Sequence, residues 1–260
     1  ILTDHNPSWT PEDILALYLI TGGVAKYVQL LMDGGAYTKQ AMLDYMIKPD
    51  SLFLTEGQNM LITEFGKEYS TYFTILSAIA RGNNTRAKIE GLVKREVGGY
   101  LTRLERDYSL ISKALPIFSK VETKNVRYVL NDNFLSFWFR FIYKYSHIIE
   151  IGSYNELKKI VERDYNTYSG LILERYFKNK YIEQGKFTHI GGYWDRKGET
   201  EIDLILVNEL EKQAEFIEIK RNRDNIKMDK LREKAWWFMQ KTGELEDYSI
   251  HYKGLSMEDM

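Results

Sequence analysis

The runs Glu201-Ile202-Asp203-Leu204-Ile205-Leu206-Val207 and Ala214-Glu215-Phe216-Ile217-Glu218-Ile219-Lys220 decide the fold. Each is an apolar run of strand length, and residues 208–212 between them carry the polar chemistry of a hairpin turn. Residues 188–194 read as a strand ahead of this pair, and residues 248–252 as one after it. Helices are expected over residues 171–181 and 228–241, the second with Leu231, Ala235 and Phe238 on one face. Helices interleaved with strands predict an α/β domain with a mixed sheet over residues 169–260.

Side chains two apart on a strand share a face, so Glu218 and Lys220 point one way and Ile217 and Ile219 the other. A hairpin pairing brings Asp203 beside Glu218. Glu174 lies on the preceding helix, one turn beyond Gly170, with Leu173 and Phe177 placed to pack on the sheet. Carboxylates on adjacent strands offer oxygen ligands to a hard cation such as Mg²⁺, so Asp203 and Glu218 are the expected metal ligands. Glu174 and Lys220 complete the expected catalytic set, with Lys220 orienting water or stabilising charge on a phosphorane. The same Glu-x-Lys spacing also describes alternating charges on a solvated strand face. Phe216, on the face of Glu218 and Lys220, weighs against that second reading.

Upstream of residue 169 the apolar spacing is helical. Thr10-Pro11-Glu12-Asp13 is a helix start, with a hydroxyl cap, proline in the first turn and two carboxylates near the positive end of the helix dipole. Residues 1–70 form an all-α unit. Within residues 71–130, Tyr72, Ile75, Leu76 and Ile79 mark one helix, and residues 86–93 and 98–107 mark two more. A strand pair follows, its second member the alternating run Val126-Arg127-Tyr128-Val129-Leu130; this is the order of a winged helix-turn-helix. Residues 131–168 are a connector rich in aromatics: Phe134, Phe137, Trp138, Phe139, Phe141, Tyr143 and Tyr145. Aromatics on nearly all sides of a helix predict buried core rather than a stacking platform for bases.

The formal charge of −1 over 260 residues divides unevenly: −5 over residues 1–70, +6 over 71–130, zero over 131–168 and −2 over 169–260. The basic segment suits a polyanion, or an acidic neighbour in the same chain. In the first case Arg86, Lys88, Lys94, Arg95, Arg103 and Arg106 are the expected contacts to duplex DNA. The −2 of the last domain disfavours a phosphate grip unless Arg221, Arg223, Lys227 and Lys230 supply a local basic patch. The absence of cysteine excludes a disulfide scaffold, a thiolate nucleophile and a Cys-ligated zinc site. His5, His147, His189 and His251 lack metal-ligand spacing; only His189 lies on a strand of the candidate sheet. No run of eighteen apolar residues is present to span a bilayer, and the cytoplasm is the expected compartment. Opening at Ile1 rather than methionine, the chain is expected to be a piece of something longer.

The succession of Glu174, Asp203 and Glu218-Ile219-Lys220 resembles the PD-(D/E)XK nuclease superfamily. A wider set of segments resembles the C-terminal half of prokaryotic, archaeal-type AAA+-like ATPases. These are Gly22-Gly23-Val24-Ala25-Lys26-Tyr27, Tyr72 with Ile75-Leu76 and Ile79-Ala80, Asp132 with Phe134-Leu135 and Phe137-Trp138, and Trp194-Asp195 with Glu201-Ile202-Asp203. The resemblance covers essentially the whole chain. It implies a helical lid over residues 1–70, a winged helix over 71–130 and a restriction-endonuclease-like domain over 169–260. A phosphate-cradling G-x-x-x-x-G-K-[ST] loop is missing, since Gly66-Lys67-Glu68 and Gly185-Lys186-Phe187 lack its spacing and hydroxyl. ATP binding is therefore expected only in a longer protein, whose nucleotide-binding domain is the implied partner of this chain. Two functions remain open: a Mg²⁺-dependent endodeoxyribonuclease domain, or a non-catalytic DNA- or protein-binding module on a degenerate nuclease fold.

Overall fold

The computed structural model describes residues 8–120 and 122–260, and the contacts divide it into two units. The first takes in the chain up to Ala114 and again Arg127–Tyr165. It opens with α1 (Pro11–Thr21), whose start is a capping box: Thr10 Oγ1 accepts the Asp13 amide and the Asp13 carboxylate accepts the Thr10 amide. The buried Asp13 also accepts the Lys39 amide at 2.7 Å, fixing the start of α3 (Lys39–Met46) beyond the short α2 (Ala25–Asp33). Next come α4 (Leu52–Phe65), a 3-10 turn over Gly66–Glu68, and α5 (Tyr69–Ala80). Two short helices, α6 (Arg86–Val93) and α7 (Gly98–Arg106), lead to β1 (Ile111–Ala114) and its antiparallel partner β2 (Arg127–Leu130).

The aromatic segment is core. Helix α8 (Asn133–Phe137) continues through a π turn at Trp138–Ile142, and Phe134, Phe137, Trp138, Phe139 and Phe141 are all buried. The rings of Trp138, Phe139 and Tyr143 meet Phe73 edge-on, and Trp138 Nε1 donates to the Leu54 carbonyl at 3.1 Å. Gly57 admits the indole, since a Cβ there would lie 2.3 Å from it. After α9 (Ser146–Glu150), the chain enters α10 (Tyr154–Gln184). That helix is far longer than the spacing predicts, because nothing from Tyr154 to Gln184 breaks it: no proline and a single glycine.

The second unit comprises Leu115–Val126 and Asn166–Met260. Its sheet has the order β3 (His189–Trp194), β4 (Glu201–Asn208), β5 (Gln213–Ile219), β6 (Ser249–Leu255). The first two pairings are antiparallel and the last is parallel, reached through α11 (Met228–Thr242), so the sheet is mixed as expected. Leu231, Ala235 and Phe238 of α11 are fully buried against Ile205, Val207, Ala214 and Phe216. The β1–β2 connection joins this core. Ile117 donates its amide to the Gly192 carbonyl at 2.9 Å, and Asn125 exchanges two hydrogen bonds with Trp194.

Candidate functional site

Asp203 owes its place to a β-bulge. On β3, Gly191 opposes Ile205 and Tyr193 opposes Ile202, so Gly192 alone faces both Asp203 and Leu204. A bulge bends the strand and re-aims the extra side chain. Glycine serves at this turn of the ladder because a Cβ on residue 192 would lie 3.0 Å from the Asp203 carbonyl oxygen. On the other side of β4, pairing with β5 ends at Leu204 opposite Ile217. There the Asp203 carboxylate accepts the Ile219 amide at 2.8 Å and the Lys220 ammonium at 3.0 Å through the same oxygen, Oδ2.

Lys220 follows β5 directly, held by its amide on the Leu255 carbonyl of β6 at 3.0 Å. Its ammonium stands between two carboxylates, 3.0 Å from Asp203 Oδ2 and 3.0 Å from Glu218 Oε1. The two oxygens are therefore within twice that distance of each other. Glu218 is buried, and its second oxygen lies 3.5 Å from Lys234 Nζ of α11. The sequence reading missed Lys234, which has no local signal because it arrives from a helix that packs on the sheet. Asp203, Glu218 and Lys220 thus come together, and Glu174 faces them electrostatically from α10.

Beside this cluster opens a cleft of about 510 Å³, lined among others by Asn166, Gly170, Glu174, Lys220, Arg221 and Asn222. Arg221 reaches the Asn166 side chain within it. Burial pushes the Glu174 carboxyl up to about 8, the Asp203 charge adds to this, and Lys220 pulls the other way. Burial also raises Asp203, opposed by the Lys220 charge and the Ile219 amide. Burial would lower Lys220, but the charge of Asp203 and its hydrogen bonds outweigh this and raise it.

Among the described residues no group of three His, Cys, Asp or Glu side chains is set to hold a metal ion. The pair of carboxylates is instead bridged by a cation of the chain itself. Their oxygens already converge on one cation, the Lys220 ammonium, whose side chain lines the cleft and is 35 % exposed. The point between Asp203 and Glu218 is built for positive charge.

The six residues expected to contact DNA, Arg86, Lys88, Lys94, Arg95, Arg103 and Arg106, are all exposed. Arg86 is paired with Glu90 at 2.8 Å, Arg103 with Glu68 at 3.5 Å, and Arg95 donates to Thr71 and Tyr100. Lys88 and Arg106 lie on α6 and α7, and Lys94 caps α6 in the left-handed conformation. The expected patch after the Glu-x-Lys pair needs one correction. Arg223 is neutralised by Glu258 and Asp259, at 3.1 and 2.7 Å, and Lys227 donates to the Asp224 carbonyl. His189 contacts Glu209 at 2.9 Å and lies opposite Val207, at the other end of β4 from Asp203. His251 contacts Ser249, His147 is exposed, and His5 lies outside the described residues.

A mixed α/β unit with a carboxylate–lysine cluster at one end of its sheet is the class that fold and site define. Residues 138–237, which hold Glu174, Asp203, Glu218 and Lys220, match the DUF234 family model, "Archaea bacterial proteins of unknown function". The chain is similar to an uncharacterized protein of Methanocaldococcus jannaschii, MJECL04, with 33% identity over 233 residues. That alignment covers 84% of this chain and 50% of the relative, so the chain spans about half of that protein's length. No solved structure matches. Among the described residues no helix is long and apolar enough to cross a membrane.

Proposed function

We propose that this chain is the DNA-facing part of a prokaryotic, archaeal-type AAA+-like ATPase and carries a Mg²⁺-dependent phosphodiesterase site of the PD-(D/E)XK kind. The observation that carries this reading is the convergence of Asp203 and Glu218 on one cationic point, beside a cleft that Glu174 and Lys220 line. Residues 1–70 serve as a helical lid, 71–130 as a winged helix that grips duplex DNA, and 169–260 as the nuclease-like domain. ATP hydrolysis belongs to a further domain, for which the longer M. jannaschii relative leaves room.

Asp203 and Glu218 would hold the ion, which would supply neutralising charge at a phosphate and lower the pKa of a water. Lys220, released into the cleft it already lines, donates to the attacking water or to a phosphoryl oxygen and stabilises the charge that develops there. Water adds to phosphorus, one P–O ester bond breaks, and the departing oxygen takes up a proton. Glu174 closes the cleft on the α10 side. The second reading is a non-catalytic binding module in which the Lys220 ion pairs are permanent; the internal neutralisation of both carboxylates favours it.

Cleavage of plasmid and linear DNA in Mg²⁺ or Mn²⁺ separates the two. The nuclease reading expects metal-dependent nicking that Asp203→Asn abolishes. No cleavage by the wild-type chain, or cleavage that Asp203→Asn leaves unchanged, overturns it.

A further inference from the structure

Helix α10 contains one glycine in its 31 residues, Gly170, and it sits near the middle. Glycine in a helix interior weakens the helix relative to alanine, so it usually answers to a close approach by some other part of the chain. Nothing approaches here: a Cβ on residue 170 would have no atom within 4 Å outside its own helix. What lies over Gly170 is the cleft. Gly170 stands one turn before Glu174 and one turn after Asn166, and all three line it together with Lys220. Because the Cα–Cβ bond of a helical residue tilts toward the N-terminus, any side chain at position 170 fills the floor between Asn166 and Glu174.

The rest of the wall narrows the choice of occupant. Asn166, Thr167, Asn222 and Asn225 supply neutral donors and acceptors, Arg221 supplies positive charge, and Lys220 shares its charge with Asp203 and Glu218. Glu174 is the one acid, Ile219 and Met257 are apolar, and no aromatic ring is present to stack a base. Such a wall suits a sugar–phosphate strand lying with its phosphates toward the cations and its bases outward.

We infer that Gly170 is the access-determining residue of this cleft, its missing side chain leaving the track along which one nucleic-acid strand passes to Lys220 and Glu174. This deepens the nuclease reading by naming the strand backbone as what the site receives, and it rests on that reading only for the chemistry. Gly170 ligates nothing and is a positioning residue.

Hydrogen exchange on the full chain, with and without single-stranded tetrathymidylate, tests it. The wild-type chain is expected to gain protection over residues 166–174 and 219–225. Gly170→Leu is expected to lose at least nine-tenths of that protection while its Tm stays equal to or above wild type and Mn²⁺ binding is unchanged. Gly170→Gln serves as the second variant if leucine disturbs folding. Equal protection in a folded variant, or none in the wild-type chain, overturns the inference. Protection that depends on Gly170 without any DNA cleavage overturns the nuclease reading alone.

Discussion

The carboxylate of Asp203 takes the Ile219 amide at 2.8 Å, where a β4 carbonyl would take it had the β4–β5 ladder continued past Leu204 and Ile217. One side chain therefore stands where the β4–β5 ladder ends and the site opens. Removing it has two consequences. Asp203→Ala leaves a part-buried amide without its acceptor and is expected to cost about 1–3 kcal/mol in urea unfolding. Asp203→Asn keeps an acceptor and is expected to cost less, while abolishing Mn²⁺ binding in calorimetry as completely as alanine.

Lys220 competes with a metal for the same two carboxylates. Lys220→Met is therefore expected to bind Mn²⁺ more tightly than wild type, by roughly tenfold for one displaced charge pair worth about 1–2 kcal/mol. DNA cleavage by the same variant is expected to fall. Affinity that drops along with cleavage would show that the ammonium does not occupy the metal's place.

Glu174 makes stability depend on pH. Burial pushes its carboxyl up to about 8 in the folded chain, against an ordinary 4.5. Between those values the folded chain binds more protons than the unfolded one, so stability is fully present below the lower value and falls as pH rises through the upper. Glu174→Gln removes this slope. Its Tm is expected to match wild type near pH 5 and to exceed it above about pH 8.

The two-residue period of β5 made the Glu218 and Lys220 pairing legible, since their common face follows from strand geometry alone. The β3–β6 and α11 segments were legible too, because short apolar runs bounded by polar turns leave few alternatives. The bulge at Asp203 was not, because one residue opposing two is a property of the partner strand. Lys234 and the Ile117 contact were hidden for a related reason: each crosses a long stretch of sequence to reach the sheet. The length of α10 is not legible either, because its charged, tyrosine-rich first half carries no clean apolar stripe.

Salt dependence tests the basic segment. Each phosphate neutralised contributes about −0.9 to the slope of log K against log salt, so six free cations would give roughly −5. Arg86 and Arg103 are already paired with Glu90 and Glu68, which brings the expected slope nearer to about −4. Fluorescence anisotropy on duplexes of unrelated sequence measures it. Lys88→Glu and Arg106→Glu are expected to weaken all duplexes alike, and a variant that discriminates between sequences would point to base contacts instead.

Ile117 belongs to the core of the second unit although residues 127–165, which belong to the first, separate its segment from the remainder of that unit's chain. Its amide holds the Gly192 carbonyl on β3, the edge strand of the sheet, and its side chain packs over Gly191. Phe118 beside it stacks on Phe238, and Asn125 holds Trp194. Ile117→Ala removes three buried carbons and is expected to cost about 2–4 kcal/mol. A chain of residues 166–260 alone loses all of these contacts and leaves β3 an uncovered edge, which favours pairing between copies. It is expected to unfold at lower urea than the full chain and to associate with rising concentration, measured by circular dichroism and light scattering. Fusing residues 115–126 to it through a flexible linker is expected to restore a monomer of higher Tm; a 166–260 chain as stable as the full protein would show that the segment only rests on the sheet.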